Sequence, residues 1–163
     1  MTVKERLGAL RARMKKEGYD AFLIVTDDFH GSEYVGDYFK TRAYFSGFTG
    51  SAGTLVVFPE TAALFTDGRY FLQAGEELSG SGITLMKMGE PEVPTVTEYL
   101  SDGLKAGERL AFDGRTVTAA LYRELKEALS KKAIRFVDTT DPADGIWTDR
   151  PELSREPVFA LGV

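Results

Sequence analysis

The sequence contains no cysteine and a single histidine, His30, among its 163 residues. Without cysteine there is no disulfide framework, no thiolate zinc site and no thiol nucleophile, and a reducing compartment fits best. One histidine likewise excludes, within this chain, metal sites built on paired histidines such as H-E-x-x-H. Long apolar runs are lacking too. No stretch reaches the ~18 apolar residues of a membrane span, and the opening Met1-Thr2-Val3-Lys4-Glu5-Arg6 has no secretory h-region, so no membrane partner and a cytoplasmic location are expected. Positive charge is in deficit: 20 Lys and Arg face 25 Asp and Glu, a formal charge of −5 with both signs mixed. Nucleic-acid binders concentrate basic residues on one face, so no nucleic-acid partner is expected.

What is present reads as one globular domain, with 43% hydrophobic and 28% charged residues. Thr2 and Glu5 form a capping-box pattern, and Val3, Leu7, Leu10 and Met14 recur at helical spacing until Gly18 stops the helix. Ala21–Val25 is a short continuous apolar run, expected as a central strand buried on both faces. A short helix is expected near Asp37–Phe45. Thr54–Phe58 and Ala62–Thr66, joined through Pro59-Glu60-Thr61, carry a hairpin pattern. Asp67 is placed to cap a helix running to Leu78, Ile83–Met88 reads as a strand, and Thr95–Leu104 as a helix behind Pro94. Arg109–Phe112 is a further strand. Thr118 caps a helix with Leu121, Leu125, Ala128 and Leu129 on one face, and Ile134–Val137 returns as a strand. The fold class expected is α/β, a mixed β-sheet layered between α-helices. Residues 1–140 form the domain, and the turn- and proline-rich residues 141–163 read as a linker, with Trp147 as an apolar anchor.

Chemistry-bearing residues are few. His30 lies in the loop Thr26–Tyr34 after a buried strand, a place where α/β folds put ligands, although Asp27 and Asp28 also suit capping of loop amides. Ser51 with His30 and Asp27 or Asp28 makes a poor nucleophilic triad: Thr49-Gly50-Ser51-Ala52-Gly53 lacks the first glycine of G-x-S-x-G and leads into a strand. Gly47, Gly50 and Gly53 match no phosphate-binding loop, and Asp138, Asp141, Asp144 and Asp149 do not fit a calcium loop, which Pro142 and Ala143 would interrupt. Asp67 and Arg69 sit at a strand-to-helix junction, where a guanidinium suits holding two loops together.

Several ordered segments resemble the amino-terminal domain of Xaa-Pro aminopeptidases, the aminopeptidase P branch of the creatinase/prolidase (pita-bread) metallopeptidases. They are Asp20–Val25, His30-Gly-Ser-Glu-Tyr34, Arg42–Thr54 with its S-G-F-T-G-S-A-G, Ala63–Ala74 with its T-D-G-R-Y-F-L-Q-A, Leu85–Gly89 and Ile146–Leu153. The resemblance implies a larger metal-dependent hydrolase that removes the residue preceding proline, using two divalent ions, often manganese, in a carboxy-terminal catalytic domain absent from these residues. That family's ligands, two aspartates, a histidine and two glutamates, lie in the later domain, so none transfers to a position here and no cofactor is expected in this chain. The resemblance also implies subunit contacts in a homo-oligomer and a wall around an active-site mouth that admits short proline-containing peptides. It places His30, Ser32, Glu33, Tyr34 and Arg42 at that mouth and makes Asp67 and Arg69 an internal brace. Peptide hydrolysis needs an activated water and a polarised carbonyl, and one histidine without matched carboxylates does not hold two ions. The alternative is a stand-alone peptide- or protein-binding module that keeps the fold without the peptidase half.

Overall fold

The computed structural model describes residues 1–138, 140–157 and 160. Its elements run α1 (Val3–Glu17), β1 (Ala21–Val25), a 3-10 turn (Asp37–Phe39), α2 (Thr41–Ser46), β2 (Thr54–Val57), β3 (Ala62–Thr66), a second 3-10 turn (Gly68–Tyr70) and α3 (Phe71–Glu77). Then follow β4 (Thr84–Lys87), α4 (Val96–Gly103), β5 (Arg109–Phe112), α5 (Ala119–Ala128), a third 3-10 turn (Ser130–Lys132) and β6 (Arg135–Val137).

The six strands form one sheet in the order β4-β3-β2-β1-β5-β6. β2 pairs antiparallel with both β1 and β3, while β1–β5, β3–β4 and β5–β6 are parallel. Five strands therefore point one way and β2 alone opposes them. The residues that leave β1, β3 and β5 (Thr26, Asp67 and Asp113) emerge at one end of the sheet, beside the start of β2 at Thr54. That end is where an α/β sheet offers a binding crevice.

Alternation along β1 sets the layers. Phe22 and Ile24 join a core with Leu7, Leu10 and Met14 of α1, Phe45 of α2 and Ala74 of α3. Ala21 and Leu23 point the other way, into a core with Leu100 and Leu104 around α4 and Leu125 and Leu129 around α5. The mixed sheet is layered between helices as expected, and β1 is central.

The caps explain the helix boundaries. Thr2 and Thr95 each form a full capping box, Thr118 accepts from the Leu121 N–H, and Gly18 ends α1 in the left-handed region at φ 73°. Two expectations are corrected. Asp67 accepts from the N–H of Arg69, only two residues on, which closes a tight 3-10 turn before α3 instead of one helix from Asp67 to Leu78. Ala128 is exposed, because the buried stripe of α5 narrows to Leu125 and Leu129 at its end. The segment from Asp141, expected as linker, rests on the domain through its first ten residues: the Trp147 ring stacks on Tyr44 at 4.4 Å, and Arg13 of α1 donates to the Asp141 and Asp144 carbonyls. Residues 151–157 are exposed throughout. Residues 158, 159 and 161–163 of the expected linker lie outside the described residues.

Candidate functional site

Arg42, on α2, organises the sheet end from inside. It is only 3% exposed, and its Nε donates to Thr26 Oγ1 at 2.8 Å while Nη1 and Nη2 donate to the carbonyls of Phe48 and Gly50. The Thr26 hydroxyl in turn donates a hydrogen bond to the Gly53 carbonyl at 2.9 Å. One guanidinium thus ties the residue after β1 to the glycine-rich loop before β2. Burial lowers the Arg42 pKa to about 10, which leaves it charged at neutral pH. Arg42 lines a cleft at this end of the sheet, and its guanidinium donors point inward to the Thr26 hydroxyl and to main-chain acceptors of the loop.

The loop after β1 is shaped by Asp28. Its Oδ1 accepts the N–H groups of His30 at 2.7 Å and Ser32 at 3.1 Å, and these bonds, the His30 amide first, hold its carboxyl below the ordinary range. The His30 side chain is 84% exposed, with Nδ1 3.9 Å from Asp28 Oδ1. Tyr34 is 83% exposed. Asp27 differs: burial pushes its carboxyl up, and among the described residues it accepts only the Asp28 N–H, at 2.9 Å.

Glu33 joins this loop to the next. Its Oε1 accepts from Ser51 Oγ and from Arg69 Nη1, both at 2.9 Å. The Ser51 hydroxyl has one proton and spends it on Glu33, so the Tyr70 hydroxyl, 2.7 Å away, donates to Ser51. Arg69 also forks onto both oxygens of Asp67. Ser51, then Arg69, hold the Glu33 carboxyl below the ordinary range, and Arg69 does the same for Asp67. Asp67, Arg69 and Glu33 form a linked set of ion pairs at the surface, between the turn after β3 and the loop after β1. Glu33 and Ser51 border two clefts. One, of about 330 Å³, is walled by Tyr34, Val35, Phe39 and Ala43; the other, of about 350 Å³, by Asp27, Ser32, Thr116 and Leu121.

The sequence presents Ser51 only as a candidate nucleophile and carries no local signal for Tyr70. Ser51 is a hydrogen-bond relay between Glu33 and Tyr70, and His30 makes no bond to it among the described contacts. No group of three or more His, Cys, Asp or Glu among the described residues is arranged to hold a metal ion. The donor set among the described residues therefore does not fit a pair of divalent ions.

Over residues 6–146 the chain matches the Creatinase/Prolidase N-terminal domain. It belongs to that family. This creatinase/prolidase N-terminal domain is 43% identical over 157 residues to aminopeptidase P2 of Arabidopsis thaliana, covering 93% of the chain and 22% of that protein. The X-prolyl aminopeptidase of Caenorhabditis elegans, a cytosolic enzyme with a di-nuclear active site, superposes with a TM-score of 0.90 at 35% identity, covering 99% of the chain and 28% of that one. The N-terminal domain of a cytoplasmic peptidase from Mycobacterium tuberculosis superposes at 0.61 and 28% identity, covering 86% and 97%. The domain thus spans about a quarter of the length of the full-length relatives it matches. None of its helices among the described residues is long and apolar enough to cross a membrane.

Proposed function

We propose that this chain serves as the non-catalytic amino-terminal domain of a cytoplasmic Xaa-Pro aminopeptidase, where it shapes substrate access and contributes to oligomer contacts. The observation that carries this reading is the match of 99% of the chain to 28% of the Caenorhabditis elegans X-prolyl aminopeptidase. The chemistry then belongs to a carboxy-terminal catalytic domain, the chain's principal partner, with short proline-containing peptides as substrates. In that domain two divalent ions, often manganese, would supply an activated water and a polarised carbonyl.

The residues of this chain do something else. Arg42 fixes the loop before β2, Asp28 fixes the loop after β1, and the Glu33–Ser51–Tyr70 relay with Arg69 pins the two together beside the clefts. A wall held by charge-assisted bonds keeps its shape when a peptide meets it, so it selects by size and length.

The purified chain, given manganese and a Xaa-Pro-Yaa peptide, is expected to show no turnover, and the chain joined to its catalytic part is expected to release the first residue. Hydrolysis by the purified chain that disappears on changing His30 would contradict the proposal.

A further inference from the structure

Six side chains close a ring at the sheet end. Arg150 donates from Nη1 to Asp141 Oδ2 at 2.7 Å, from Nε to the Tyr38 carbonyl at 2.8 Å and from Nη2 to Thr41 Oγ1 at 3.1 Å, with its guanidinium 3.8 Å from the Tyr38 ring centre. Tyr38 meets Phe39 edge-on at 5.1 Å, and Phe39 meets Phe29 edge-on at 4.7 Å. Phe29 lies 5.1 Å from the guanidinium of Arg115, whose Nη2 returns to Asp141 Oδ2 at 3.2 Å. The ring therefore contains Asp141, Arg150, Tyr38, Phe39, Phe29 and Arg115. Four of its members, Phe29, Tyr38, Phe39 and Arg150, line a space of about 20 Å³. That is room for about one water, so the ring is no ligand pocket and acts through its contacts.

We propose that Asp141 is a positioning residue that couples the course of the chain where it leaves the domain at Pro151 to the placement of the loop 27–39. One carboxylate oxygen serves two guanidiniums drawn from different places: Arg150 belongs to the departing segment, and Arg115 to the turn after β5. The Arg150 and Asp141 side chains are each only 14% exposed, so their pairing is screened far less than a surface pair. The two arginines are not equally dependent on it. Arg115 keeps Asp113, which it grips through Nε at 2.9 Å and Nη2 at 2.7 Å. Arg150 has no other carboxylate partner among the described residues. Loss of the Asp141 charge therefore releases Arg150 and Tyr38 first, and reaches Phe29 and the adjoining His30 through Phe39.

The coupling itself is tested in this chain without catalysis. Asp141→Asn is compared with Glu152→Gln, which removes a carboxylate from the exposed pair with Arg155. Amide exchange over 36–41 and 142–150 is expected to quicken about tenfold or more in Asp141→Asn, while β1–β3 keep their protection. The imidazole resonance of His30, the chain's only histidine, is expected to shift in Asp141→Asn and not in Glu152→Gln. Arg150→Lys, which keeps the charge but cannot make the three-way fork, is expected to give the same pattern. Unchanged exchange at 36–41 with an unmoved His30 signal, or loss of protection throughout β1–β3 in both Asp141→Asn and Arg150→Lys, would overturn the coupling. Its consequence for substrate rests on the proposed function. In the full enzyme Asp141→Asn is expected to raise KM for Xaa-Pro peptides with kcat retained. A loop that moves in the chain while KM stays fixed would count against the access reading and leave the coupling standing.

Discussion

Arg42 and Trp147 show how unevenly single residues announce themselves. The Trp147 side chain is large and apolar between turns, and packing was the only economical use for it; it stacks on Tyr44. Arg42 carries a charge, which normally means surface, and its burial depends on carbonyls of Phe48 and Gly50 that converge only after the loop has folded. Arg42→Lys is expected to cost about 2–4 kcal/mol in denaturant unfolding, because an ammonium cannot serve three acceptors in one plane and leaves buried carbonyls unpaired. Two carboxylates should respond to pH with opposite signs. The Glu33 pKa is lowered by Ser51 and Arg69, so its stabilisation is complete above the ordinary value of 4.5 and is lost as pH falls through the lowered folded value. Unfolding midpoints of Glu33→Gln and the parent should therefore differ at neutral pH and converge in acid. The Asp27 pKa is raised by burial, so its charge opposes folding above the ordinary value of 3.8. Asp27→Asn should thus stabilise the chain at neutral pH, with the gain vanishing in acid.

Among the elements, strands and threonine-capped helices were legible because their signals are local: an apolar run of five residues, or a threonine followed by a glutamate three places on. The turn after Asp67 was not, since an aspartate announces a cap without saying whether it will bond the second or the third amide beyond it. The segment from Asp141 reads by composition as linker. Among its contacts with the domain, Asp141 meets Arg115, a pairing that sequence distance does not reveal. Close approach gives a direct test of the loop before β2. A Cβ at Gly50 would lie 2.3 Å from the Phe48 ring and 2.7 Å from Tyr70. Gly50→Ala is expected to cost about 1–3 kcal/mol and to disturb the packing of Phe48 and Tyr70, seen as a change in near-ultraviolet circular dichroism. Thr95→Ala, which removes the α4 capping box, should cost about 1 kcal/mol in thermal unfolding and leave the candidate site intact.

For the molecule as a whole, the alternation of Phe22 and Ile24 against Ala21 and Leu23 already required helices on both faces of the sheet. Strand order was not available from the sequence, because it is fixed by pairings between distant segments, and with it went the knowledge that Thr26, Asp67 and Asp113 leave the sheet at the same end. That convergence allows Glu33 to reach Ser51 and Arg69 across loops far apart in the chain. The proposed access wall should govern which peptides enter and leave the bond-breaking step alone. The decisive measurement is kcat and KM for Xaa-Pro peptides of increasing length, using the full enzyme with Glu33→Gln or Tyr34→Ala in this domain. Turnover of a tripeptide should stay within about twofold while the preference for short over long peptides falls about fivefold or more. A loss of tripeptide kcat on the order of a hundredfold, with length preference unchanged, would place these residues in the chemistry and contradict the role of an access wall.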